Sequence, residues 1–260
     1  MHEDGAWSLG GTTGLSQGEK IHYAPGSLAD ARRMVLGYPT YSSCSAAVDR
    51  LLGGGYRVGT LTEIFGGSNT GKTQLAMQAA LGVARMGARA LYVDAEGGFR
   101  PERIESMAQA RGWDPRAILA SIVYLRATDS TQQTEVIRRL ARDENTAKLK
   151  LVAIDTLTAN FSLDFPGETN MPRRQGALNV HLSEIARDAF LSGRAYLLAN
   201  RVSFSQEHLE AHVGGRTVSQ LVHNSIHLSR ERQRRGAVSA TLLGEPTKKE
   251  ISTIGPAGFE

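Results

Sequence analysis

The sequence is short of the features that mark secreted and membrane proteins. Its 260 residues include one cysteine, Cys44, which excludes an internal disulfide framework and a cysteine-rich zinc site. It has no apolar run of about 18 residues, the length that crosses a bilayer. The first eleven residues are acidic and lack the apolar core of a secretory signal. These absences favour a cytoplasmic protein without a membrane partner.

Charge is present in both signs, with a modest basic excess. The chain has 30 Lys and Arg against 26 Asp and Glu, a formal net charge of +4 at pH 7. This excess is compatible with a nucleic acid or another polyanion as partner, but many basic proteins bind neither. The length suits one medium domain with an appendage or two small domains.

The sequence pattern changes near residue 40. Residues 1–39 are predicted to form an arm or linker, because residues 1–26 are rich in Gly, Ser, Thr and charge and residues 27–35 have the pattern of a short helix. From 40 to 260, short apolar stretches alternate with longer amphipathic ones. This alternation predicts an α/β core: a mostly parallel sheet flanked by helices. After about residue 224, three short strands with tight turns predict an antiparallel C-terminal extension on one edge of the sheet.

One glycine-rich stretch, EIFGGSNTGKTQ (63–74), fits the P-loop pattern G-x-x-x-x-G-K-[ST]. A strand is predicted before it and a helix after it, as the pattern requires. Glycines let successive backbone N–H groups turn inward and form an anion nest, backed by a helix N-terminus. Lys72 would supply a charge to the β- and γ-phosphates, and Thr73 a hydroxyl ligand for Mg²⁺. We therefore predict a nucleoside triphosphate held by Gly66, Gly67, Ser68, Asn69, Thr70, Gly71, Lys72, Thr73 and Gln74.

Two acidic residues follow apolar strands and would complete this site. Asp155 ends LKLVAID, where its carboxylate would orient the Mg²⁺ shell. Glu96, in LYVDAEGGF, follows the preceding strand and could polarise the attacking water. Either residue, taken alone, could also be a surface carboxylate at a strand end.

Several segments resemble one family in their order along the chain: VDRLLGGGY (48–56), the P-loop, LYVDAEGGFRPERI (91–104), IVYLRATDSTQQ (122–133) and LVAIDTLTA (151–159). They resemble the archaeal and eukaryotic RecA-like recombinases, most closely RadB and other RadA paralogues. The resemblance implies a RecA-type P-loop ATPase core with ATP and Mg²⁺ as cofactors. It implies that Glu96 and Lys72 are catalytic, and that Arg103 packs on the adenine.

The sequence departs from the family beside the nucleotide site. Ala199-Asn200-Arg201-Val202 stands where the family has Thr-Asn-Gln-Val, whose Gln senses the γ-phosphate. Arg201 would instead offer phosphate a permanent charge and a fork of donors. It would stabilise the ground state as much as the transition state, which predicts tight ATP binding and slow hydrolysis.

The family's two DNA-binding loops match residues 160–176 and 203–216. A third basic cluster occupies 230–235, which is also compatible with a solvated turn. Clustered arginines suit phosphate contacts. The candidate DNA-binding residues are Arg173, Arg174, Arg216, Arg232, Arg234 and Arg235.

These patterns support one main hypothesis and two alternatives. The main hypothesis is a weak ATPase that assists a RadA-type recombinase or other paralogues in homologous recombination and DNA repair. This protein would also bind DNA, single-stranded DNA in the first place. The first alternative is a non-catalytic adaptor switched by ATP. The second is a signalling-type RecA ATPase without DNA affinity.

Overall fold

The computed structural model describes residues 38–143, 146–204, 210–231, 234, 236–244 and 246–260. The arm predicted at 1–39 lies outside this part of the chain except for its last two residues, and the helix predicted at 27–35 lies wholly outside it.

Helices and strands alternate along the described chain, as the sequence predicts. The helices are α1 Ala46–Leu52, α2 Lys72–Arg85, α3 Pro101–Ala110, α4 Pro115–Ala120, α5 Ser130–Leu140, α6 Ala159–Asp164, α7 Met171–Ser192 and α8 Gly215–Leu221. The strands are β1 Thr40–Tyr41, β2 Tyr56–Arg57, β3 Leu61–Gly66, β4 Arg89–Asp94, β5 Ile122–Arg126, β6 Leu149–Asp155, β7 Ala195–Asn200, β8 Val202–Phe204, β9 Glu210–His212, β10 Asn224–Arg230, β11 Ala237–Leu242, β12 Lys248–Gly255 and β13 Gly258–Phe259.

Nine of these strands form one sheet in the order β13-β12-β11-β10-β3-β7-β6-β4-β5. The six strands from β10 to β5 run parallel to one another. The strands from β10 to β13 pair antiparallel. This confirms the predicted α/β core, a mostly parallel sheet with an antiparallel C-terminal extension.

The extension differs from the prediction in one detail. Its first strand, β10, pairs antiparallel with β11 on one side but in parallel with β3 on the other, where Ile226 lies opposite Ile64. A strand that follows a helix can cross over and run parallel to its neighbour, and β10 follows α8. The chain reverses direction only at the turn between β10 and β11, so the extension begins at β11.

Two hydrophobic cores cover the two faces of the sheet. Successive residues of a strand point to opposite faces, and β6 shows this directly. Leu151 and Ala153 belong to the core that includes α2, whereas Val152 and Ile154 belong to the core that includes α7. A strand that is buried on both sides reads as a continuous apolar run, and LKLVAID has that pattern.

The sheet aligns the carboxyl ends of four parallel strands. Asp94 pairs with Asp155 across β4 and β6, Asp155 with Ala199 across β6 and β7, and Phe65 with Asn200 across β3 and β7. Ligands of open α/β sheets bind beyond this edge. The register therefore gathers residues that are distant in sequence at one edge of the sheet.

Candidate nucleotide site

A cavity of about 620 Å³ lies beyond this edge of the sheet. It is lined by P-loop residues and by residues that follow three other strands: Gly66, Gly67, Ser68, Asn69, Lys72, Thr73, Glu96, Thr156, Arg201 and Val202. The structure thus brings Glu96 and Arg201 to the same cavity as most of the predicted P-loop residues. Of the other predicted residues, Thr70 and Asp155 are buried, and Gly71 and Gln74 are partly buried, next to this lining.

The P-loop requires its glycines because other chain segments press against it. A Cβ on Gly66 would lie 2.2 Å from the carbonyl oxygen of Leu228 in β10. Gly71 has a left-handed φ of 99°, and a Cβ there would lie 2.5 Å from the ring of Phe259 in β13. Strand β10 and the antiparallel extension therefore pack directly against the loop and help to fix its shape.

Lys72 lies across the loop that precedes it. Its Nζ donates hydrogen bonds to the carbonyl oxygens of Gly66 and Gly67, both at 2.8 Å. The Thr70 hydroxyl also donates to the Gly67 carbonyl, at 2.9 Å. These bonds hold the ammonium group at the wall of the cavity, where it can meet a phosphate.

Asp155 ends β6 and is almost fully buried, 4% exposed. It accepts a hydrogen bond from the Tyr92 hydroxyl at 2.7 Å and another from the Thr73 side chain. Burial raises the pKa of this carboxyl group, and the hydrogen bonds from Tyr92 and Thr73 oppose that rise. A cation beside Asp155 would likewise favour its ionised form.

The residues present fit Mg²⁺ with a nucleoside triphosphate. A hydroxyl and a carboxylate, from Thr73 and Asp155, meet next to the cation of Lys72, and Mg²⁺ prefers oxygen ligands shared with substrate phosphates. Within the described residues, no group of three or more His, Cys, Asp or Glu side chains could hold a metal ion. Mg²⁺ bound with a nucleotide generally takes part of its coordination shell from the phosphates.

Glu96 projects into the cavity, and its side chain is 33% exposed. Its Oε1 accepts a hydrogen bond from the Thr156 hydroxyl at 2.9 Å. The same oxygen forms an ion pair with the guanidinium of Arg201. Arg201, which the sequence predicts to contact phosphate, therefore forms an ion pair with Glu96, the candidate general base.

Asp94 is a site residue that the sequence analysis missed. Its buried carboxylate accepts the backbone N–H groups of the turn that carries Glu96. The one sequence signal is that Asp94 ends an apolar strand two positions before Glu96, and that two glycines, Gly97 and Gly98, follow Glu96. An aspartate of this kind commonly caps its own turn.

Glu63 is a second residue that the sequence analysis missed. It is fully buried in β3, three positions before the P-loop. Its carboxylate accepts from Asn200 Nδ2 at 2.7 Å and Ser225 Oγ at 3.1 Å, and contacts His212 Nδ1 at 3.0 Å. This hydrogen bond raises the pKa of His212. Glu63 thus links β3 to β7, β9 and β10.

Arg103 lies outside the cavity lining. Its guanidinium donates to the carbonyl oxygens of Gly255 at 2.7 Å and Pro256 at 3.0 Å, and its Nε donates to Gln74 Oε1 at 2.7 Å. It ties α3 to the turn between β12 and β13. Its contact with adenine stays a prediction.

The candidate DNA-binding arginines occupy different parts of the fold. Arg173 and Arg174 lie in the first turn of α7, and Arg216 in the first turn of α8. A hydrogen bond of 2.9 Å from Thr217 to Gln175 joins the two helix starts.

Arg234 is exposed in the turn between β10 and β11. At the start of that turn, Arg230 donates to the Asn69 carbonyl of the P-loop at 3.1 Å. Arg232 and Arg235 lie outside the described residues.

Comparison with known proteins identifies the family. The family model described as Rad51 matches residues 32–232. The chain is similar to "DNA repair and recombination protein RadA" from three archaea. It is 38% identical to the protein of Aeropyrum pernix over 164 residues, 61% of this chain and 51% of the relative. It is 37% identical to that of Metallosphaera sedula over 168 residues (61% and 51%) and to that of Ignicoccus hospitalis over 169 residues (61% and 52%).

The chain spans about half the length of the curated relatives it matches. None of the helices in the described part of the chain has the length and apolar character to cross a bilayer. The match confirms the resemblance to the RecA-like recombinases, while the closer likeness to RadB stays a prediction. The P-loop cavity, the sheet order and the family match lead to one conclusion: the chain belongs to the Rad51 family.

Proposed function

We propose that this protein binds ATP with Mg²⁺, hydrolyses it slowly, and assists a RadA-type recombinase in homologous recombination and DNA repair. One observation carries the proposal. A single cavity is lined by a cation that follows a glycine-rich loop, Lys72, and by a carboxylate from another strand end, Glu96. The Thr73 hydroxyl lines the same cavity, and Asp155 is hydrogen-bonded to it.

Each of these groups has a role in phosphoryl transfer to water. Mg²⁺, when bound, would neutralise charge on the β- and γ-phosphates. Thr73 and Asp155 would hold it, and the hydroxyl of Tyr92 would keep Asp155 oriented. Lys72 would stabilise charge on the transferred group. A water oxygen would attack the γ-phosphorus while the bond to the ADP oxygen breaks, and Glu96 would take the water's proton.

The contact between Arg201 and Glu96 supports slow hydrolysis. A carboxylate oxygen that already accepts from a guanidinium and from Thr156 has less capacity to accept a proton from water. The Arg201 side chain is 57% exposed, and exposed ion pairs are weak. A guanidinium carries several N–H donors, so Arg201 could contact a γ-phosphate while it still holds Glu96. That contact would bind ATP in the ground state without accelerating its cleavage.

The same contact favours a second candidate function, an ATP-switched adaptor that hydrolyses almost nothing. In that case Arg201 would exchange Glu96 for the γ-phosphate on binding. The exchange would change the start of β8, which follows Arg201 directly. The adaptor and the slow ATPase share the site and differ only in turnover.

We also propose that the protein binds DNA, single strands foremost, through Arg173, Arg174 and Arg216. Arg173 and Arg216 are exposed and Arg174 is partly buried. The hydrogen bond between Gln175 and Thr217 places the two helix starts side by side. Clustered arginines with free solvent access are suited to backbone phosphates, which give affinity without sequence preference.

A multiple-turnover ATPase assay with and without single-stranded DNA tests the proposed function. We expect measurable Mg²⁺-dependent release of phosphate from the wild type. Glu96→Gln should keep ATP affinity and lower turnover about 100-fold, because the amide keeps the shape and cannot take a proton. Glu102→Gln, an exposed change in α3, is the control and should behave as wild type.

The outcomes separate the two candidates. Tight ATP binding without turnover in the wild type would favour the adaptor. Equal loss of binding and turnover in Glu96→Gln would reassign Glu96 to a structural role. A wild type that binds no ATP would remove both candidates.

A further inference from the structure

Asp94 ends β4, and its carboxylate lies under the turn that carries Glu96. The residue is 1% exposed. Its Oδ1 accepts three consecutive backbone N–H groups, at 3.0 Å from Glu96, 2.6 Å from Gly97 and 3.2 Å from Gly98. Its Oδ2 accepts the next one, from Phe99, at 3.2 Å. Four successive N–H groups thus converge on one side chain.

Two side chains of β5 complete the surroundings of this carboxylate. Arg126 donates to Asp94 Oδ1 at 3.3 Å and to the Asp94 carbonyl oxygen at 2.9 Å. The Tyr124 hydroxyl lies 3.3 Å from Oδ2. The parallel pairing of β4 with β5 places Arg126 opposite Asp94. The carboxylate therefore joins the turn to the edge strand of the sheet.

We propose that Asp94 is a positioning residue that fixes the backbone of Glu96 and thereby aims its carboxylate into the cavity. Hydrogen bonds to an ionised acceptor are roughly twice as strong as neutral ones. The bond to the N–H of Glu96 itself holds the residue that the proposed reaction needs. Gly97, with a left-handed φ of 79°, lets the chain turn tightly around the carboxylate. The expected loss of turnover rests on the proposed function. The expected effect of Asp94 on the backbone of residues 96–99 does not.

None of the hydrogen bonds of the Asp94 carboxylate given above goes to the phosphate-binding loop. Lys72 is held by the carbonyls of Gly66 and Gly67, and Thr73 lies on α2. A change at Asp94 should therefore alter catalysis and leave nucleotide binding nearly intact. A merely structural residue would not separate the two in this way.

Asp94→Asn is the variant that tests the proposal. The amide keeps the shape, but whichever way it is placed its NH₂ group faces backbone N–H donors of the turn. We expect kcat to fall about 100-fold, the size of effect that a small misplacement of a reacting group can have. The Kd for ATP should stay within about twofold of the wild-type value. In the Glu96→Gln background, Asp94→Asn should lower kcat little further, since residues that act as a unit are not additive.

Hydrogen exchange of the backbone amides at 96–99 gives a readout that needs no ATP. Asp94→Asn should speed this exchange about tenfold or more while leaving amides of the core strand β6 unchanged. Asp49→Asn is the matched control. The Asp49 carboxylate accepts from the Ser43 backbone N–H at 2.7 Å and from the Ser42 and Ser43 hydroxyls, both at 2.6 Å, and it does not line the cavity. It should leave exchange at 96–99 and kcat unchanged.

Three results would overturn the proposal: unchanged exchange at 96–99, faster exchange with unchanged kcat, or an undiminished effect of Asp94→Asn in the Glu96→Gln background. If Asp94→Asn does not fold, Tyr124→Phe removes one donor from the half-exposed edge and should speed the same exchange by a smaller factor; no change would again count against Asp94. If the wild type hydrolyses no ATP, the proposed function fails, and the exchange measurement still decides whether Asp94 holds the turn.

Discussion

Arg201 and Glu96 share one contact in the nucleotide cavity, and each is placed there by a different strand. Glu96 follows β4, whereas Arg201 follows β7. Asn200, directly before Arg201, accepts a hydrogen bond from the Thr158 hydroxyl and donates to Glu63. The backbone that carries Arg201 is thus anchored, while its side chain is more than half exposed. Its side chain can therefore exchange one anionic partner for another.

The variant Arg201→Gln separates the two effects of this arginine. We expect about tenfold weaker ATP binding, because a neutral amide replaces a charge that faces phosphate. We expect turnover at saturating ATP to rise severalfold, because Glu96 Oε1 loses a competing donor. Binding calorimetry and steady-state kinetics measure the two quantities. Arg187→Gln, an exposed change on α7, serves as control. Strong hydrolysis in the wild type that Arg201→Gln leaves untouched would show that Arg201 does not restrain Glu96.

The sequence predicted the residues of the P-loop cavity that lie in one contiguous motif or close to the end of an apolar strand; their chemical roles stay predictions. The P-loop is one unbroken stretch, and Asp155 and Glu96 stand directly after apolar strands. The sequence analysis missed the roles of Asp94 and Glu63 and the pairing of Arg201 with Glu96. Those contacts depend on which side chains meet across the sheet. They could not be predicted because local sequence patterns do not determine strand order and register.

At the scale of elements, the P-loop strand is tied to the hairpin of β8 and β9 by one buried polar cluster. His212 of β9 contacts Glu63 through Nδ1 and Ser219 of α8 through Nε2, at 2.9 Å. The hydrogen bond that His212 donates to Glu63, together with the charge of Glu63, raises the pKa of His212 against the opposing effect of burial. His223 has the opposite environment: burial lowers its pKa, and its Nδ1 accepts the Leu61 N–H at 3.2 Å.

These two histidines should give stability opposite dependences on pH. Since the folded pKa of His212 lies above its unfolded value near 6.5, its contribution is present below about pH 6.5 and is lost as pH rises through the folded pKa. His212→Gln should remove about 1 kcal/mol of unfolding free energy at pH 6 and less at pH 9. Urea unfolding at both pH values measures the difference.

A buried neutral histidine changes the pH dependence of stability in the opposite direction. Burial lowers the pKa of His223, and it lowers the pKa of His181 to about 3. Both histidines therefore reduce stability as pH falls below about 6.5, where the unfolded chain gains their protons. His223→Gln is the matched control, because it should cost less stability at pH 6 than at pH 9. Equal losses at both pH values in His212→Gln would contradict a charged contact with Glu63.

The direction of β10 marks the limit of prediction for elements. The sequence predicts its existence and its hairpin with β11, because strand composition and turn residues are local. Its parallel pairing with β3 depends on the crossover through α8, whose seven residues GRTVSQL carry a weak helical pattern. The antiparallel extension was predicted from local patterns, whereas the parallel pairing of β10 with β3 was not.

At the scale of the whole molecule, nucleotide and DNA would be bound by different parts of one fold. The P-loop cavity lies at the carboxyl edge of the sheet, and Arg173 and Arg174 begin the long helix α7. Arg201 is joined to Val213, just before α8, by a backbone hydrogen bond of 3.0 Å. Residues next to the nucleotide cavity and the two helix starts are therefore connected through β8, β9 and α8.

Replacing both Arg173 and Arg174 by Ala tests the DNA surface. If each contacts a phosphate of a single strand, affinity should fall for all sequences and the salt dependence of log K should weaken by about 0.7 per lost contact. Fluorescence titrations at several salt concentrations measure the slope. Arg234→Ala is the comparison variant. An unaltered slope in the double variant, with a reduced slope in Arg234→Ala, would move the DNA site to the turn between β10 and β11.

The central claim is that the P-loop cavity binds ATP with Mg²⁺, and calorimetric titration of wild type and Lys72→Ala tests it most directly. Lys72→Ala should fold, since Lys72 is only partly buried and belongs to neither hydrophobic core. We predict that the wild type binds ATP more tightly with Mg²⁺ than without it, that Lys72→Ala loses at least about 100-fold in affinity, and that Lys148→Ala, an exposed control, loses none. A folded Lys72→Ala protein with unchanged affinity for ATP would contradict the account.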